Sequence, residues 1–177
     1  GTVNKIRQHF RKVVATKDWH PKDHISFASN HEGKKEYDEI RVKGERQTLW
    51  PDHCVPGTDG ADFYPDFDIR SVNLVLHKGL RTDLDSYSAF FENDKESVTG
   101  LEYYLRGFGI ETVYVCGLAM DVCVFFTCMD ALKLNFETFL ISDATKPVDV
   151  PEGNAENAIK TMKEKGVKII ASEEIVQ

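Results

Sequence analysis

No apolar run in this chain approaches the ~20 residues that a membrane-crossing helix needs. Basic residues are outnumbered, 22 against 29 acidic ones, which leaves a net charge of −7. A surface of that sign repels phosphate backbones, so a nucleic-acid partner is not expected. Cysteine is scarce. Cys54, Cys116, Cys123 and Cys128 form no CxxC pair, and their spacing suits neither a zinc ribbon nor a small disulfide scaffold. Cys116 and Cys128 fall in apolar patterns and read as core thiols, which points to a reducing cytoplasm. Internal repeats, low-complexity segments and linkers are also lacking; no signal peptide is visible, and because the chain opens on Gly1 without a methionine its natural start is expected to lie upstream.

What is present suits one soluble domain over residues 1–177. The chain has 41% hydrophobic and 29% charged residues, and it is long enough to bury a sizeable core. Val3, Ile6 and Phe10 recur at helical spacing and predict a helix over 3–11. Short strands are expected at 12–16, 72–78, 112–117, 137–143 and 167–171. Helices are expected at 94–108, 121–134 and 151–165, the second capped by Asp121. Residues 18–68 read as one long irregular section, and such loops are usually functional. Strands alternating with helices predict a three-layer α/β/α domain with a mostly parallel sheet. One element is missing from that pattern. A helix that leads into a parallel strand should have a strand before it, so the first strand is expected to be absent from this sequence.

In open α/β sheets ligands bind beyond the carboxyl ends of the strands. Those ends deliver Asp18 and His20, Lys78, and the segment containing Cys123 to one face. Cys123 fits either a thiolate at a helix start or a core cysteine. Lys78 fits either a solvated strand end or a charge that lowers the thiol's pKa. Asp18 and His20 are two residues apart and point the same way in extended chain, as metal ligands can. With His24 and His53 they form a set suited to Zn, Fe or Mn, although a polar loop reads equally well. His31 reads as solvated, and His77 as facing the layer opposite Lys78. Trp50 and Tyr87 sit in polar loops, where they could stack on a flat ring or cover the loop's own core.

Taken in order, five segments resemble the nicotinamidases, also called pyrazinamidases, of the isochorismatase-like cysteine hydrolases. They are KDWHPKDHISF at 17–27, LWPDHCVPGTDGADFYPDFD at 49–68, KGLRTDLDSYSAF at 78–90, GLAMDVCV at 117–124 and SDAT at 142–145. The resemblance implies Cys123 as nucleophile and Lys78 as its electrostatic partner. It implies one divalent ion, Zn first with Fe or Mn as alternatives, held by Asp18, His20 and His53, with His24 ranked lower. It also implies a cis peptide at Leu118–Ala119, an oxyanion held by the Ala119 and Cys123 N–H groups, and a ring sandwiched by Trp50 and Tyr87. The implied activity is hydrolysis of nicotinamide to nicotinic acid and ammonia in NAD salvage, by a cytoplasmic homo-oligomer. The alternatives are another amidase of the superfamily, or a non-catalytic metal-binding relative. The family's third catalytic group is an aspartate in a segment like D-x-Q-N-D-F, and no such segment occurs here.

Overall fold

The computed structural model describes residues 1–176. Five parallel strands form two sheets that are not bonded to each other. In the first, β1 (Val14–Asp18) pairs with β4 (Leu74–Lys78), and the register sets Asp18 beside Lys78. The second runs β5 (Thr112–Leu118), β6 (Glu137–Lys146), β7 (Lys168–Ile170), all parallel. This is the α/β architecture with parallel strands expected from the alternation of elements, with the sheet in two parts rather than one.

Side chains alternate across β5 and so define the layers. Val115 packs with Met120, Val124, Cys128, Leu140 and Met162 beneath α3 (Phe125–Lys133) and α4 (Asn154–Lys165). Tyr114 points the other way, stacking on Phe139 at 4.5 Å and touching Phe10 at 5.0 Å, just after α1 (Thr2–Ile6). A second core joins the two sheets. Val14, Leu74 and Leu76 meet Val113, Phe136 and the Leu101 and Leu105 side chains of α2 (Leu101–Gly107). Both cores are apolar and remove large side chains from water, at about 25 cal/mol for each Å² buried.

Three expectations need correction. The long irregular section contains an antiparallel hairpin, β2 (Glu39–Val42) and β3 (Glu45–Thr48). Its two-residue turn, Lys43–Gly44, has φ 52° and 92°, which is the primed-turn geometry that favours glycine. The strands are mostly polar, so periodicity concealed them. The helix expected from 94 begins only at Leu101. The Asp94 carboxylate accepts from the Glu96 and Ser97 N–H groups and from Ser97 Oγ, which folds that stretch into a turn. Asp121 does not cap a helix. It is buried and accepts from Val148 N, Asp149 N and Asn154 Nδ2, pinning the loop before α4. A short helix, α5 (Glu173–Val176), ends the described chain. Among the described residues no helix is long and apolar enough to cross a membrane.

Candidate active site

Because β1 and β4 are parallel and in register, Asp18 and Lys78 emerge together at their carboxyl ends. Lys78 is 5% exposed. Its ammonium has three donors, and each has a target: Asp18 Oδ1, Ser86 O at 2.9 Å and Cys123 Sγ at 3.6 Å. Burial opposes the charge on Lys78, but Cys123, Asp18 and Asp85 together hold its pKa above the ordinary value. Burial likewise opposes the Asp18 carboxylate, and Lys78, His20 and His53 together hold it below the usual range. The two charges thus stabilise each other, Lys78 as a cation and Asp18 as an anion at neutral pH.

Asp18 Oδ2 faces two imidazoles, with His20 Nε2 at 4.0 Å and His53 Nε2 at 3.9 Å. The far nitrogens are tied down. His20 Nδ1 donates to Gly79 O at 3.0 Å, and His53 Nδ1 donates to Pro51 O at 2.8 Å. Such outer bonds set the tautomer and leave each Nε2 lone pair facing the carboxylate. One ligand atom from each of Asp18, His20 and His53 lies within 4.8 Å of the others. His20, His24 and Asp85 form a second such group that shares His20. His24 is fully buried, its Nδ1 is 2.7 Å from Ser26 Oγ, and its Nε2 is buried without a partner. Burial lowers the pKa of His20, and lowers that of His24 to about 4, so both are neutral and able to ligate at pH 7. An oxygen and two or three imidazole nitrogens, one of them orphaned, fit a borderline divalent ion such as zinc.

Gly79 makes this cluster possible. Its φ is +65°, and a Cβ built there would stand 2.2 Å from His20 Cε1. Only glycine tolerates both the left-handed backbone and the pressing imidazole.

Cys123 lies in a π-helical turn, Met120–Val124, closed by Val124 N donating to Ala119 O at 3.0 Å. Turns of this kind frequently occur at functional sites. The α-helix starts only at Phe125, so Cys123 is not in its first turn, contrary to the sequence expectation. Burial raises the thiol pKa and outweighs the downward pull of Lys78; Asp18 and Asp85 act with burial, and the Ala119 N–H bonded to the thiol acts against it. The expectation that Lys78 favours the thiolate thus describes a real pull that desolvation exceeds. The peptide Leu118–Ala119 is cis.

Trp50 and Tyr87 are close but not parallel. Their ring centroids are 6.3 Å apart, their planes cross at 83°, and Trp50 Nε1 donates to Tyr87 Oη at 3.2 Å. The hydrogen bond holds them as a corner, which corrects the expected sandwich; Phe126 extends the Tyr87 wall at 5.3 Å. His31 is not merely solvated, since its Nε2 donates to Ile25 O at 2.7 Å. His77 is exposed and packs on Trp19 at 4.7 Å.

The structure therefore brings Asp18, His20, His24, His53, Lys78, Ala119 and Cys123 into one cluster, with Trp50 and Tyr87 joined to it through Gln47 and Asp85. Sequence reasoning missed Gly79, Asp85, Gln47 and the Ser86 carbonyl. Gly79 follows Lys78 at a strand end and could have been flagged by position. Gln47 and a backbone carbonyl carry no such signal. One concavity lies against the hairpin, lined by Val42, Arg46, Gln47, Leu84, Asn93 and Asp94, and so shares Gln47 with the network behind Tyr87; another, bounded by Phe10, Tyr114, Phe139 and Ile170, stands apart from the cluster.

Asp18, His20, His24 and His53 thus form a group that could hold a divalent ion, beside a thiol and a buried ammonium on an α/β scaffold. The Isochorismatase domain family matches residues 2–174 of the chain. A nicotinamidase of Acinetobacter baylyi is 43% identical over 174 residues, covering 98% of this chain and 81% of that protein. The solved nicotinamidase/pyrazinamidase of Acinetobacter baumanii superposes with a TM-score of 0.96 at 46% identity, covering 98% of this chain and 84% of that one. The Pyrococcus horikoshii pyrazinamidase in complex with zinc superposes with a TM-score of 0.74 at 35% identity, covering 96% and 80%. The chain belongs to the isochorismatase domain family.

Proposed function

We propose that this chain is a nicotinamidase, hydrolysing nicotinamide to nicotinic acid and ammonia through a thioester at Cys123. The observation that carries the reading is the contact of Lys78 Nζ with both Asp18 and Cys123 Sγ, which joins the thiol to the ion cage. Asp18, His20 and His53 would hold one divalent ion, with His24 behind them. A zinc complex of a 35%-identical relative supports zinc. A bound ion supplies a positive centre that orients the pyridine nitrogen and a water.

The remaining steps belong to the protein. The right-angled corner of Trp50 and Tyr87 offers one face and one edge to a flat heteroaromatic ring. The carboxamide carbon then faces Cys123. Attack by sulfur forms the C–S bond and a tetrahedral oxyanion. The Ala119 N–H, directed toward the sulfur in the resting site, and the Cys123 N–H hold that oxyanion. Loss of one such donor typically costs about 3 kcal/mol. Collapse breaks the C–N bond, and the nitrogen takes the proton given up by the thiol and leaves as ammonia. Water then cleaves the thioester to give nicotinic acid and the free thiol. Lys78 stays protonated and steadies the thiolate as it forms. Because Lys78 is held cationic and Asp18 anionic, neither is suited to accept the thiol proton; the family resemblance implies an aspartate in a segment like D-x-Q-N-D-F for that role.

The test is ammonia release from nicotinamide by the zinc-loaded full-length protein. Turnover abolished by chelation and restored by zinc supports the reading. No release with zinc bound at one equivalent overturns it.

A further inference from the structure

Gln47 is the one buried residue in the two hairpin strands, at 2% exposure. A primary amide in that position is costly unless its bonds are made. All of them are made toward one place. Gln47 Nε2 lies 2.8 Å from Asp85 Oδ2, 3.0 Å from Tyr87 Oη and 2.8 Å from Thr48 O. Its Oε1 accepts from Asn93 Nδ2 at 3.4 Å, and Asn93 Oδ1 in turn accepts from Tyr87 N at 3.0 Å. Gln47 therefore reaches Tyr87 from two sides, through the phenol oxygen and through Asn93 to the backbone.

The phenol oxygen also accepts from the Trp50 indole, which can only donate. Two donors converge on one oxygen, and their directions set the angle between the two rings. Asp85, the other partner of Gln47, is itself 2% exposed, accepts from Ser86 N at 2.8 Å, and has a carboxylate oxygen within 4.8 Å of His20 and His24 nitrogens. The Ser86 carbonyl is the one that holds Lys78. A single amide thus spans the aromatic corner and the loop that carries the Lys78 anchor.

We propose that Gln47 is a positioning residue for substrate binding, which acts through Tyr87 by holding the Trp50–Tyr87 corner at its observed angle. The proposal rests on the nicotinamidase reading for its substrate. The hairpin tip offers an internal control. There Lys43 meets Asp83 at 3.0 Å, with both side chains about half exposed, so that contact docks the hairpin without touching the corner.

The experiment is a double-mutant cycle on the zinc-loaded full-length enzyme with nicotinamide. Gln47→Met should raise KM about tenfold, leaving kcat within about twofold and zinc content unchanged. Tyr87→Phe should raise KM comparably, and the double variant should be no worse than the poorer single one. Lys43→Ala should leave KM unchanged. If Gln47→Met does not fold, Gln47→Leu, which also has no N–H donor and adds no charge beside Asp85, carries the same expectation. Additive effects, a fall in kcat alone, or an equal rise in KM from Lys43→Ala would each overturn the proposal. A second readout needs no turnover. In a Trp19→Phe background, Trp50 emission should shift alike in Gln47→Met and Tyr87→Phe, and an unshifted spectrum in Gln47→Met contradicts the proposal. Silence of the unaltered enzyme toward nicotinamide would defeat the functional reading, and the emission result would still decide the role of Gln47.

Discussion

The two parallel sheets hold their shares of the site by different means. The β5–β6–β7 sheet holds Cys123 by packing. The turn that bears it is anchored by buried Met120 and Val124 over Cys128, Leu140 and Met162. The other two thiols of that half feel burial alone, which pushes Cys128 up to about 12 and Cys116 up to about 11. The β1–β4 sheet holds its residues by hydrogen bonds and charge: Gly79 O on His20, Pro51 O on His53, Ser26 on His24, and Asp18 against Lys78. Shape fixes the position of the Cys123 thiol. Directional bonds fix the orientation and tautomer of the imidazoles.

The sharpest way to separate the halves is to damage each alone. Met162→Ala removes a fully buried side chain beneath the nucleophile turn. It should lower stability by about 4 kcal/mol in denaturant titration, with zinc stoichiometry intact in the folded protein. A parallel loss of zinc would show that the halves are not separable. The next effect is one of pH. The His24 pKa is lowered from 6.5 to about 4 by burial, so below pH 6.5 the unfolded chain takes up a proton that the folded one refuses. Stability of the metal-free protein should therefore fall as pH drops from 6.5 toward 4, by about 3 kcal/mol from His24, with His20 acting in the same direction. Replacing His24 with Gln should flatten that slope in unfolding midpoints measured across the range; an unchanged slope would assign it elsewhere.

Gly79→Ala probes the polar half directly. The new Cβ would displace the His20 ring. Zinc affinity should drop by about 100-fold, as for loss of an orienting partner, while the β5–β6–β7 core stays intact by unfolding. Undiminished affinity in competition with a chelator would remove His20 from the cage. The smallest effect is expected at the hairpin tip. Lys43→Ala breaks an exposed pair and should cost no more than about 0.5 kcal/mol.

The halves also differed in how far they could be read from sequence. Continuous apolar runs such as TVYVCG announce buried parallel strands, so β4 to β7 and their order were legible. Chemically distinctive residues, Asp18, His20, His53, Lys78 and Cys123, could be selected because strand ends converge on one rim. The β2–β3 hairpin was not legible, because its strands are mostly polar and its turn is Lys–Gly rather than Asn–Gly. The residues that orient the site escaped for a related reason. Gly79 works through the absence of a side chain, Gln47 through an ordinary amide, and Ser86 through its carbonyl. The corner between Trp50 and Tyr87 depends on an angle that no residue pattern encodes. Asp121 shows the converse error: a residue suited to capping spends its carboxylate on a distant loop.

One comparison tests the central claim that thiol, ammonium and ion cage act together. Ammonia release from nicotinamide should be measured for the zinc-loaded full-length protein and for Cys123→Ala. The account predicts that release falls to background in the variant while bound zinc stays at one equivalent. Substantial turnover in Cys123→Ala would contradict it.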